Sequence, residues 1–438
     1  MASLTEPIPL VDPVAAFANA GTVTRDRVLW LQPDSAFSIT SAGAGYVIET
    51  EGPERFSQTA AAWDALCSGA LIEGPGASGC GPLLVGGFSF DAAVPESATW
   101  KGYPGGRMVV PRACVRGTRG GSWLTLNAVL RPGVTAEQEA AEILRFRRAL
   151  LTAPTQGNGH LAGGKPAISE LRPAQGWREE VAAAARAVRR GELRKVVLAR
   201  AVKLLADQPF DSVAALRRMA AGYPTCVVFA VGRGERCFLG ATPERLLRVC
   251  NGEVSTTCLA GSYARGTTDE ADRRLAEALL ADPKERGEHT LVLNALVEAL
   301  AESCTSVEMP ETPSVLKLPN VQHLCTPVSG RIAPGQSVLR IVERLHPTPS
   351  VGGEPRALAL QLIREREGLD RGWYAGAVGW VDHQGEGEFA VAIRAALLRG
   401  GEATLFAGCG IVADSDPERE FAESCIKLTP MLSALGAN

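Results

Sequence analysis

The chain has 438 residues, 46% hydrophobic and 21% charged, which belongs to an ordinary globular protein with a sizeable core. Forty-five basic against forty-eight acidic residues leave a net charge of −3, and no basic block is interleaved with aromatics, so nucleic acid is excluded as an expected partner. No run of eighteen apolar residues and no basic-then-apolar start in MASLTEPIPLVDPV argue against a membrane span or a secretory leader, and a cytoplasmic protein is expected.

The eleven cysteines are odd in number, scattered and without a CxxC pair, so they read as small buried hydrophobes, neither a disulfide framework nor a zinc site. To about Leu151 the chain alternates strand-like and helix-like runs. In SWLTLNAVL, Leu124, Leu126, Ala128 and Leu130 share one face of a predicted strand. Thr135 and Gln138 have the spacing of a capping box ahead of a helix with Ile143, Phe146 and Leu150 on one stripe. These are scaffold features.

Residues 152–175 are rich in Gly and Pro and read as a loop or linker. Gly159, Gly164 and Lys165 match the spacing of a phosphate loop, but Pro166 stands where Ser or Thr should hold the metal, and no strand and helix are predicted to frame it. Beyond it a helix in GWREEVAAAARAVRRGEL leads to the strand KVVLARAVKLL. Strands are predicted in TCVVFAV, RCFLGA, RLLRV and EVSTTCLAG, two helices across residues 268–302, and strands again in WYAGAVGWV, EFAVAIRAALL and ATLFAGCG. Strands joined by short turns predict an α+β fold, antiparallel sheets flanked by helices.

The candidate chemistry lies in this second part. Asp416 and Pro417 form a helix start, a side-chain cap followed by a proline whose missing N–H costs nothing in the first turn. Glu420, Glu423 and Lys427 then share one helical face, either as a solvated face with ion pairs or as part of a site. Glu285 and Glu288, in DPKERGEHTLVLNALVEAL, are again i and i+3. Two such pairs meeting across a cleft would make an all-oxygen site of the kind Mg²⁺ takes. Lys195 opens an apolar strand, where its ammonium either reaches water or, desolvated in a cleft, serves as a general base. Glu244 follows a bend marked by Gly240 and Pro243, as an ordinary turn residue or as a partly buried general acid. Arg394 shares a strand face with Ala390 and Ala392, which leaves room to grip a carboxylate bidentately. Tyr374 in the preceding strand lines the same space or fills the core. His323 offers a donor, and Gly408 and Gly410 allow close backbone approach.

Taken together, KVVLAR, GATPERLL, LAGSYARG, KERGEH, VQHLCTPVSG, LHPTPSVGG, DRGWYAGAVGW and AGCGIV followed by PEREFAESCIKL resemble the chorismate-utilising enzymes, most closely the isochorismate synthases of menaquinone and siderophore biosynthesis. Motif order and spacing match from about Lys195 to Leu428, and GGFSFD with WKGYPGGRMVVPR resembles the N-terminal half of the menaquinone-type members. The resemblance implies one catalytic domain over residues 1–438: a more variable half to residue 151, the linker, and a catalytic half over 176–435. It implies Mg²⁺-dependent, reversible conversion of chorismate to isochorismate, an isomerase reaction. Lys195 would activate water for attack on C2 and Glu244 would protonate the departing C4 hydroxyl. Glu288 and Glu420 match the metal ligands, Glu285 and Glu423 their water-linked neighbours. Gly261, Ser262, His323, Thr348, Tyr374, Arg394, Gly408 and Lys427 match positions around the substrate.

Aminating relatives carry a neutral residue where Lys195 stands, so no glutaminase partner is expected, and the chain is expected to act as a monomer. Salicylate synthases share the lysine and go on to eliminate pyruvate; they, an aminating relative such as an anthranilate or aminodeoxychorismate synthase, and a noncatalytic anion-binding relative are the alternatives. Cys258, Cys325 and Cys409 depart from the family pattern, Cys409 as an enlargement beside two substrate-lining glycines. Pro430 is expected to end or kink the last helix just after Lys427.

Overall fold

The computed structural model describes residues 1–93, 97–130, 132–152, 165–318 and 321–437. Its framework is a continuous, almost wholly antiparallel hydrogen-bonded network that divides at the strand Gly106–Thr118. One arm runs from there through Phe37–Thr50, Arg27–Gln32, Val227–Arg233, Arg236–Thr242, Ala395–Arg399 and Glu402–Ile411 to Lys195–Leu205. The other leaves through Leu83–Phe88 to Ala377–Asp382, Gly387–Val391, Arg245–Cys250, Glu253–Ala264 and Val321–Ile332. The parallel exception is the short pairing of Ala2–Leu4 with Leu71–Glu73. This is the single α+β domain that the strand and turn pattern predicts, with ten helices among the described residues. None of these helices is long and apolar enough to cross a membrane.

The core lies between the arms. Phe229, Phe238 and Phe406 of the first meet Phe88, Leu247 and Phe389 of the second, with Trp100, Tyr103 and Trp373 filling the gap. Successive side chains of a strand point to opposite faces, so Val228 and Ala230 turn outward. With Leu239 and Leu405 they form a second apolar layer under the helices Pro13–Ala20, Ser212–Gly222 and Pro417–Ala434.

Local signals are met at several ends. Thr135 and Gln138 make the full capping box of Ala136–Leu151, whose Ile143, Phe146 and Leu150 are buried. All eleven cysteines are free thiols. Elsewhere tertiary packing prevails. The strand after Gly121 ends at Ala128, so Leu130 lies beyond it and is exposed. Of the stretch 152–175, residues 153–164, including Gly159 and Gly164, lie outside the described residues. Ala167–Glu170 is an edge strand paired with Lys195–Leu205, and the following helix starts at Ala174. EFAVAIRAALL is two strands, broken at Ala392, Ile393 and Arg394, where Arg394 takes φ +51°. The alternation of faces therefore does not extend to Arg394. Tyr374 precedes its strand, which begins at Ala377.

Pro430 does not end the last helix, which continues to Ala434. The carbonyl four residues earlier loses its helical partner, but Ile426 there is half exposed, and solvent can serve that end of the turn. Leu428, Met431 and Ala434, buried in the outer apolar layer, hold the last turns in place.

Candidate active site

Two helices deliver the carboxylates by the same device. In Pro283–Ala301 the buried stripe runs Glu285, His289, Val292, Leu296 and Leu300. In Pro417–Ala434 it includes Glu420, Ser424, Leu428 and Met431. Each helix thus buries its apolar stripe against the sheet, and the same spacing sends the carboxylate at the head of the stripe into the space between the arms. Asp282 and Asp416 cap the two starts, each accepting two backbone N–H groups, with proline at the first helical position. Glu285, Glu288, Glu420 and Glu423 all line one cavity, so the two pairs do meet.

The cavity also takes in Lys195, Glu244, Ser262, His323, Tyr374, Arg394, Gly408 and Lys427. Lys195, 2% exposed, does not reach bulk water: its Nζ donates to Glu288 Oε1 at 2.6 Å. Gly410 allows this, since a Cβ there would stand 2.7 Å from Lys195 Cε. Glu244 sits between the strands Arg236–Thr242 and Arg245–Cys250, its N–H donating to Thr242 Oγ1 and its carbonyl accepting from the Val391 N–H. Burial pushes its carboxyl above the ordinary glutamate value, although the Ser350 hydroxyl, Lys195, Arg394 and Lys427 pull the other way. The net effect is a shift toward the protonated form.

The carboxylate cluster is held off balance by its neighbours. Burial, and then the charge of Glu423, push Glu420 up to about 7. Burial also raises Glu285, partly offset by the Ser262 N–H, which donates to its Oε2 at 2.8 Å. That N–H is aimed by a β-bulge at Gly261, whose φ of +77° and a would-be Cβ contact of 2.9 Å with the Glu285 carbonyl require glycine. Gly261 thus positions Ser262 without lining the cavity itself. Lys427 pairs with Glu423 at 2.6 Å and donates to the Gly408 carbonyl at 2.9 Å. Burial opposes the Lys427 ammonium, but Glu423 outweighs it and holds the pKa above the usual lysine range.

At the other end, His323 Nδ1 and Ser262 Oγ share a hydrogen bond of 2.7 Å across a strand pair. Burial, then Arg394 and Lys427, push His323 down to about 3, which keeps it neutral. Tyr374 stacks on Phe406 at 4.9 Å. The Arg394 carbonyl accepts from the Ala241 N–H, but its guanidinium has no hydrogen-bond or ion-pair partner among the described residues, an arrangement suited to an incoming anion. Thr348 lies behind the wall, joined to Ser350 at 2.5 Å, and it is Ser350 that reaches the cavity. Cys409 is fully buried with its thiol against the Glu420 carbonyl at 3.2 Å, so it does not narrow the pocket. Its Sγ, Glu420 and Glu423 offer donor atoms within 4.8 Å of one another.

Three polar wall residues were not singled out from the sequence. Ser350 and Lys284 sit in quoted motifs but look like a turn serine and a solvated lysine. Arg371, in DRGWYAGAVGW, is buried, bonds Glu367 through Nε at 2.7 Å, and donates to the Val351 and Val197 carbonyls at 2.8 Å each. Arginine beside Asp and Gly reads as surface, and only the fold shows that it ties Lys195's strand to the Ser350 loop.

This constellation of a buried lysine, a buried glutamate, two carboxylate pairs and a free guanidinium between two antiparallel arms is that of an anion-binding enzyme cleft. Residues 1–436 match the family model described as chorismate binding enzyme, and the chain belongs to that family. It is 39% identical to the salicylate biosynthesis isochorismate synthase of Pseudomonas aeruginosa over 98% of this chain and 88% of that one. Identity to the isochorismate synthase MenF of Bacillus subtilis is 36%, over 99% and 93% of the two chains. The solved structure of the menaquinone-specific isochorismate synthase MenF of Escherichia coli superposes with a TM-score of 0.83 at 27% identity, over 99% of this chain and 94% of that one.

Proposed function

We propose that this protein is an isochorismate synthase, converting chorismate reversibly to isochorismate. The observation that carries the proposal is that Lys195 and Glu244 open onto one cavity together with two carboxylate pairs and the unpaired Arg394. Replacing a C4 hydroxyl by a C2 hydroxyl needs one group to take a proton from water and another to give one to the departing hydroxyl. Lys195, in its neutral form and released from Glu288, takes the first. Glu244, buried and biased toward its acid form, supplies the second. Water enters and water leaves, so the proton account closes, and the similar bonds made and broken make the reaction reversible with the two roles exchanged.

Chorismate is a dicarboxylate, and Arg394 with Lys427 offers cations to hold one carboxylate. Neutral His323 and Tyr374 supply polar contacts without adding charge. The donor set fits Mg²⁺: four carboxylates on two facing helices, with hard oxygens predominating over the one nearby thiol. Glu285, Glu288, Glu420 and Glu423 would hold the ion, which when bound anchors and screens the ring carboxylate. Lys195 favours water over ammonia as the nucleophile, which sets the aminating chemistry aside.

The test of these roles is substitution. Lys195→Ala and Glu244→Gln should each lower turnover of chorismate by about 10²- to 10⁴-fold while far-ultraviolet circular dichroism stays unchanged. A near-normal rate in either variant would overturn the assignment.

A further inference from the structure

Glu244 has two carboxyl oxygens, and one of them is already taken. Oε1 accepts a hydrogen bond from the Ser350 hydroxyl, while Oε2 has no partner among the described residues. Ser350 Oγ lies in turn 2.5 Å from Thr348 Oγ1. A hydroxyl carries one proton, so with Ser350 donating to Glu244, Thr348 must donate to Ser350.

The loop that carries this pair is fixed on three sides. The Val351 and Gly352 N–H groups donate to the Thr348 carbonyl at 3.1 and 2.9 Å, closing a turn around Ser350. The Gly352 carbonyl accepts from the Val197 N–H at 2.8 Å, two residues along the strand from Lys195. The Val351 carbonyl accepts from the buried Arg371. Ser350 is therefore held by backbone bonds that do not depend on its own side chain.

We propose that Ser350 is a positioning residue for the acid: by occupying Oε1 it leaves the transferable proton on Oε2, the free oxygen of a residue that lines the reaction cavity. The inference rests on Glu244 acting as proton donor in the proposed function. A carboxyl with both oxygens free divides its proton between them, and only one of those forms is set to deliver it. The bond has a second consequence. Donation to the carboxylate stabilises the ionised form, so Ser350 keeps the burial-raised carboxyl from rising further. The other groups near Glu244 are Lys195, Arg394, Lys427 and the Cys258 thiol, and none is altered by changing Ser350.

The experiment compares Ser350→Ala and Ser350→Thr with the unaltered full-length enzyme. With chorismate and Mg²⁺, Ser350→Ala should lower kcat by roughly 10- to 100-fold with little change in KM, the scale of a misplaced catalytic group. The forward reaction needs protonated Glu244 and fails as pH rises through its pKa, so the alkaline limb of kcat should move to higher pH in Ser350→Ala. Ser350→Thr, which restores the hydroxyl, should recover both. In parallel, the carboxyl C=O band of Glu244, identified by subtraction of Glu244→Gln, is titrated by infrared difference spectroscopy in the free protein. That titration should also move upward in Ser350→Ala. An unshifted limb and an unshifted band would overturn the inference, as would a loss of kcat that Ser350→Thr does not recover. If no variant and no parent turned over chorismate, the proposed function would fall, and the infrared shift would still decide whether Ser350 governs the Glu244 proton.

Discussion

Removing the Arg371 guanidinium should cost more stability than any other single change near the cavity. Its side chain is 3% exposed and that of Glu367 is 1% exposed, so neither charge has access to solvent. Arg371 bonds both Glu367 oxygens, caps the Val351 and Val197 carbonyls, and lies over the Phe90 ring at 4.2 Å. Arg371→Met keeps much of the volume but leaves a buried carboxylate without a counter-charge, a change of about 3–5 kcal/mol. With an unfolding entropy near 2.1 cal/mol/K per residue, the 438-residue chain should lose roughly 3–5 °C in Tm. Glu367 also accepts the Ala199 N–H at 2.7 Å. Adding Glu367→Gln should therefore keep that acceptor, remove the stranded charge and recover part of the loss. Urea unfolding of the two single variants and the double variant gives the coupling. A cost below about 1 kcal/mol for Arg371→Met, or strict additivity of the pair, would refute the reasoning.

Two further outcomes follow from the cavity and the core. Glu288→Gln should weaken Mg²⁺ binding at least tenfold, whereas Lys195→Ala, which removes the ammonium competing for Glu288 at 2.6 Å, should tighten it; calorimetric titration with Mg²⁺ in the absence of chorismate reads both, and equal affinities across the set would contradict the assigned ligands. His346 is buried and donates from Nε2 to the Phe90 carbonyl at 3.1 Å, and burial, then Arg55, push it from 6.5 down to about 3. The folded state keeps it neutral while the unfolded chain protonates it, so its contribution is intact above pH 6.5 and is lost as pH falls toward 3, by up to about 1.4 kcal/mol per pH unit. His346→Asn should flatten the acid side of the stability curve by one proton, and an unchanged slope would count against it.

How much of this was legible depended on whether the signal was local. The cap at Asp416, the Thr135 capping box and the strand from Lys195 to Leu205 each rest on short-range chemistry, and the structure has them at the expected residues. The carboxylates were readable as two pairs because i and i+3 share a helix face. That the pairs meet depends on strands distant in sequence, and there the spacing was silent. Arg394 shows the limit most clearly: its flanking alanines suggested a regular strand face, yet a positive φ and a break in pairing turn it into the cavity. Pro430 failed as a stop signal because burial of Met431 and Ala434 outweighs one lost helical bond. Ser350 and Arg371 were missed since their meaning lies in partners far along the chain, Glu244 for one and Val197 for the other.

The most direct measurement is product analysis of the purified full-length protein incubated with chorismate and Mg²⁺, sampled early and approached from both directions. Isochorismate should form from chorismate, and chorismate from isochorismate, to the same equilibrium ratio. Salicylate and pyruvate as the main early products, or binding of chorismate with no conversion, would contradict the account.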